Sequence, residues 1–181
     1  GDRLTVWFHP GRQKTGVNLN VEIGPILEPG HEYQLIINAD WPSLAGTAIG
    51  IDTKINFVAG QPDHSQPDPE SWDLIIPSAN TREPLTIRFH EPLDYALLYN
   101  RALEVVFNEG PLDSHQEISK NGLGIRIRPL TPWIAGRYHI QINPRLEDLA
   151  GNSIERPFEV DLKKETEDLS KAQRINFTVN P

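Results

Sequence analysis

The sequence predicts an all-β protein of packed antiparallel sheets, on three observations. Period-two alternation recurs from end to end, Gly, Pro and Asn punctuate the alternating runs, and helical periodicity is short wherever it occurs. Leu4, Val6 and Phe8 alternate with Thr5 and Trp7, and Tyr33, Leu35 and Ile37 with Gln34, Ile36 and Asn38. Leu85, Ile87 and Phe89 share a face, as do Leu103, Val105 and Phe107. Ile125 and Ile127 sit between Arg126 and Arg128. Tyr138, Ile140 and Ile142 alternate with His139, Gln141 and Asn143, and Ile175, Phe177 and Val179 close the chain. Successive strand side chains point to opposite faces, so each run predicts a strand with one dry and one wet side. Strands without long helices between them predict a sandwich or barrel rather than βαβ units. Residues 93–99 suit one or two helical turns, and residues 163–173 (KKETEDLSKAQ) a short helix or a solvated loop.

Composition narrows the classes. A chain of 181 residues makes one large domain or two small ones. Hydrophobic residues are 38% and charged residues 23%, ordinary for a globular protein. The 16 prolines and 13 glycines fall between apolar runs, which excludes a disordered chain, a collagen and a long coiled coil. No apolar run approaches the ~18–20 residues of a membrane-spanning helix. Cysteine is absent, which removes disulfides, thiolate nucleophiles and cysteine metal sites. A net charge of -8 argues against binding nucleic acid or an anionic membrane. The chain starts Gly1-Asp2-Arg3 and has no methionine, so it reads as a mature, trimmed or tag-cleaved fragment from which any signal peptide is gone.

Residues 60–70 (GQPDHSQPDPE) hold three prolines in a polar stretch, which can form neither a central strand nor a helix interior. They read as a linker or a long surface loop, and the linker reading divides the chain into a first module at 1–60, a Pro-rich linker at 61–76 and a second module at 77–181. An internal repeat favours that division. YQLIINADWPSLAGTAI (33–49) lies over YHIQINPRLEDLAGNSI (138–154) without a gap, with seven identities that include Tyr33/Tyr138, Leu44/Leu149 and Gly46/Gly151. Further on, KINFVA (54–59) is similar to RINFTV (174–179). Two copies of one pattern argue for duplicated modules. In each, a strand starts at a tyrosine just after a glycine. That tyrosine is expected to bury its ring and to bond its hydroxyl to upstream backbone. The Leu-Ala-Gly segments predict compact turns with positive φ at Gly46 and Gly151, and with Asp148 and Asn152 capping loose backbone N–H groups.

The second copy carries Phe89-His90-Glu91-Pro92-Leu93-Asp94, then Gly136-Arg137-Tyr138, then Asp148-Leu149-Ala150-Gly151-Asn152. In order and spacing it resembles the bacterial Ig-like domains of surface-layer and other exported proteins, over roughly residues 77–181. The resemblance implies a seven-stranded antiparallel Ig-like β-sandwich, one of several in tandem, on an extracytoplasmic protein. It also implies a non-catalytic structural or adhesive role, with neighbouring domains of the same polypeptide as partners and a glycan or another surface protein as a further one. The first copy departs from the pattern. It has no Asp or Asn at the positions that flank Leu-Ala-Gly in DLAGN and no F-x-E-P-L-D strand, and only about 60 residues precede the linker. The first module is therefore expected to be incomplete, its partner strands lost or supplied elsewhere. Merger of both segments into one larger sandwich is the alternative.

Candidate chemistry is sparse. The six histidines (His9, His31, His64, His90, His115, His139) show no zinc-ligand spacing, and His90 and His139 are expected on outward strand faces. No nucleophile elbow, phosphate loop or dinucleotide fingerprint occurs, so neither an enzyme nor a cofactor is expected, and an accessory domain attached to a larger enzyme stands as a further alternative. The most unusual stretch is Trp7 to Gly16 (WFHPGRQKTG), where His9, Arg12 and Lys14 lie in a glycine-bounded loop on an acidic chain. With the Trp7 indole they form a candidate site for a glycan or an anionic ligand, set against a solvated hairpin connection. Trp133 and Trp41 read as packing residues, while Trp7 and Trp72 are candidates for a position between modules. Glu147, Asp148 and Asn152 cluster at one turn, but calcium takes about six to eight oxygens and turn capping explains these three, so no metal is expected.

Overall fold

A computed structural model describes residues 6–159 and 174–181; the charged stretch 163–173 lies outside them. The chain is mostly β with antiparallel sheets. It divides into two compact units, Trp7–Asp63 and His64–Pro181, the latter grouped with Val6, the described residue before Trp7.

The N-terminal unit begins with two short helices, α1 (Pro10–Gln13) and α2 (Asn18–Ile23), followed by strands β1 (Glu32–Ile37) and β2 (Thr53–Val58). The alternation at Val6 and Phe8 does not become a strand, because residues 6–9 are irregular and α1 follows at once. Proline at the first helical position presets φ and loses no hydrogen bond there. The His9 ring adds a cap, its Nδ1 accepting from the Gly11 N–H at 3.1 Å. Gly24, at φ 87°, ends α2. Strands β1 and β2 form an antiparallel two-stranded sheet, with Tyr33 opposite Phe57 and Leu35 opposite Ile55. Ala59 is the only buried apolar residue described in this unit.

The C-terminal unit contains two four-stranded antiparallel sheets. One runs in the order β3 (Asp73–Ile75), β4 (Leu85–Arg88), β8 (Gly124–Pro129), β7 (Ser114–Ile118). The other runs β10 (Arg174–Val179), β9 (Gly136–Ile142), β5 (Leu103–Phe107), β6 (Gly110–Pro111). Alternation along each strand sends Leu85, Ile87, Ile125 and Ile127 of the first sheet into one buried cluster with Leu103, Val105, Tyr138, Ile140, Ile142, Phe177 and Val179 of the second. Arg126 and Arg128 point out, as their spacing predicts. The turns at 93–99 form α3 (Tyr95–Tyr99), N-capped by Asp94, whose Oδ1 accepts from the Leu97 N–H at 2.7 Å.

The expected linker at 61–76 is corrected in its second half. Pro67, Pro69 and Trp72 are buried, and β3 pairs with β4 in register Leu74 to Ile87. Trp72 packs edge-on against Phe89 with ring centroids 4.8 Å apart. Proline bars central strands and helix interiors but not burial. Pro69 opens a 3-10 turn, Pro69–Ser71, capped by Asp68, which delivers Trp72 to the core.

Candidate functional site

The residues that carry the repeat lie at the two ends of β9 in the C-terminal unit, with Tyr138 near its start and the DLAGN turn beyond its end at Ile142. Tyr138 starts the inward face of β9 and is 3% exposed. Its hydroxyl donates to the Ile134 carbonyl at 3.0 Å and accepts from the Ile134 N–H at 3.2 Å. Its ring stacks on Phe107 and Phe177 and meets Trp133 edge-on. Trp133 is fully buried, as expected, and its Nε1–H donates to the Glu83 carbonyl at 2.8 Å.

Beyond the other end of β9, the DLAGN turn closes on itself. Asp148 Oδ1 accepts from the N–H groups of Ala150 and Asn152 at 2.8 and 2.9 Å, and its Oδ2 from Asn152 Nδ2 at 2.8 Å. Asn152 Oδ1 accepts from the Phe158 N–H at 2.9 Å. Both side chains are buried, and buried polar groups need such partners. Gly151 takes φ 89°, and a Cβ there would stand 2.9 Å from the Phe158 ring. The FHEPLD segment joins this turn through a bridge between Leu93 and Asp148 and through the Asp94 N–H, which donates to the Glu147 carbonyl at 2.8 Å. Burial, then the neighbouring Asp94 and Asp148 charges, pushes the Glu147 carboxyl above the ordinary 4.5. On β9, burial and then Arg174 hold His139 below 6.5.

The first copy has the same geometry at equivalent positions. The Tyr33 hydroxyl accepts from the Glu28 N–H at 2.8 Å, again from backbone upstream. Tyr33 faces Phe57 across its hairpin as Tyr138 faces Phe177, with centroids 5.7 and 5.4 Å apart and rings 22° and 19° from parallel. Pro42 bridges Ala48 where Glu147 bridges Ser153. The Ile49 N–H donates to the Trp41 carbonyl at 3.0 Å, and Ile154 to Leu146 at 3.0 Å. Gly46, at φ 79°, matches Gly151. The missing Asp and Asn are replaced by Ser43 and Thr47. Ser43 Oγ accepts from the Thr47 N–H at 3.1 Å, where Asp148 Oδ1 takes the Asn152 N–H. A hydroxyl in the aspartate's place makes the same cap, and a motif read only as Asp and Asn does not register it.

The loop residues singled out near the N-terminus are placed differently from a glycine-bounded loop. Arg12 lies in α1 and donates through Nε to the Gly24 carbonyl at 3.0 Å and through Nη2 to the Pro25 carbonyl at 3.5 Å. Its own carbonyl accepts from Asn20 Nδ2 at 2.8 Å, so it braces α1 against the end of α2. His9 caps α1 through its ring, Lys14 directly follows the helix, and Trp7 is exposed. Trp41, expected to pack, is 50% exposed, and Trp72 lies in the C-terminal core.

No helix among the described residues is long and apolar enough to cross a membrane. No protein-family model matches the chain, and no curated protein matches it.

Proposed function

We propose that His64–Pro181 is an Ig-like sandwich, and that the chain is a non-catalytic structural or adhesive segment of an exported or cell-surface bacterial protein. The strand order supports the first part. Lettered along the chain, β3-β4-β8-β7 reads A-B-E-D and β10-β9-β5 reads G-F-C, the arrangement of an Ig constant-type domain with the short β6 added beside C. A strand-F tyrosine bonded to backbone four residues upstream is the corner of that fold. The observation that carries the role is the duplication. One closing hairpin with its corner and capped turn is built twice in one chain, which is how arrays of modules are made. Its polar motif residues are engaged with their own backbone, so their work is to hold each unit rigid, and the partners are neighbouring domains of the same polypeptide.

Protease shaving of intact cells of the source organism tests the assignment. Peptides from this chain released without lysis, and without cytoplasmic markers, are the expected result. Recovery only after lysis, in the soluble cytoplasmic fraction, overturns the extracytoplasmic role.

A further inference from the structure

The N-terminal hairpin presents an apolar face and a strand edge whose counterparts in the C-terminal unit are covered. Ile154 and Leu146 are 1% and 0% exposed, whereas Ile49 and Trp41 at the equivalent positions are 53% and 50% exposed. Ile140 and Ile142 are fully buried, while Leu35 and Ile37 are only half-buried. Strand β9 lies between β10 and β5, but β1 pairs with β2 alone among the described residues. The two hairpins share register, corner and turn bonding, so the interface that covers one defines what fits the other.

We infer that the β1–β2 hairpin is a docking surface for a β-strand segment that completes it as β3–β8 completes β9–β10. In the C-terminal unit, β5 adds antiparallel to β9, with Leu103 opposite Ile142 and Val105 opposite Ile140. The occupant accordingly adds one antiparallel strand along Gln34–Ile37, with apolar side chains beside Leu35 and Ile37. Its second sheet, alternating as β4 and β8 do, covers Trp41, Ile49 and Phe57. Unpaired edges and contiguous apolar faces are what folded proteins cover, and backbone pairing with alternate side-chain pockets is the means. The inference rests on the duplicated hairpin and not on the proposed extracytoplasmic role.

The test joins a second copy of residues 64–135 by a flexible linker ahead of the full 181-residue chain and follows amide hydrogen exchange. Protection of the β1–β2 amides rises about a hundredfold or more over the unextended chain, and Leu35→Asp abolishes the gain. The same substitution in the unextended chain leaves the melting of the C-terminal unit unchanged. Two results overturn the inference. In one, β1–β2 exchange is the same with and without the added segment. In the other, the unextended chain dimerises in sedimentation equilibrium through a contact that Leu35→Asp breaks, which makes a second copy the occupant.

Discussion

Tyr138 and Tyr33 occupy one motif at two depths of burial, and that difference sets what each hydroxyl contributes. Tyr138→Phe removes the hydroxyl of a buried ring and leaves the part-buried Ile134 carbonyl and N–H without it, and is expected to cost about 1–2 kcal/mol in urea unfolding, while Tyr33→Phe, at an exposed corner, costs about 0.5 kcal/mol or less. The turn glycines behave in the same paired way. Gly46→Ala meets open space and costs about 1 kcal/mol for its left-handed backbone, whereas Gly151→Ala also drives a methyl into Phe158 and costs about 2–3 kcal/mol. Equal losses at both positions would mean that Phe158 gives way freely. Glu147 sets a pH dependence. Its folded carboxyl holds its proton above 4.5, where the unfolded chain has released it. The folded state then binds more protons, so its contribution to stability is present below that value and is lost as pH rises through the raised folded value. Glu147→Gln is expected to flatten this loss, read as the difference between wild-type and mutant unfolding free energies from pH 4 to pH 8.

At the scale of elements, the hairpin was the most legible feature in the sequence and the helices the least. Tyrosine, alternation and a Leu-Ala-Gly turn are local signals, so both hairpins could be outlined from spacing alone. The alternation at Val6 and Phe8 does not continue past Pro10, where a proline at the first helical position and the His9 ring cap turn the chain into α1. Proline density marked 61–76 as linker, yet Trp72 and β3 are structural parts of the C-terminal unit. Trp72→Ala is expected to cost about 3–5 kcal/mol of that unit's stability, by loss of a buried indole against Phe89. A loss under 1 kcal/mol would return the segment to the role of a tether.

Across the whole molecule, the two units differ in what they enclose. The C-terminal unit has a core fed by both of its sheets, so residues 64–181 alone are expected to unfold in one cooperative urea transition. A broad, non-cooperative profile would refute its self-sufficiency. The sequence by itself determined the β class, the strand faces, the repeated corner and the turn glycines, because each follows from backbone geometry within a few residues. Tertiary structure alone decided that Trp72 is core, that Arg12 is a brace and that Ser43 stands in for Asp148. It also decided that Leu35, Trp41 and Ile49 lack the cover their counterparts have. Burial depends on which distant strands arrive to share a face, and no local pattern contains that information.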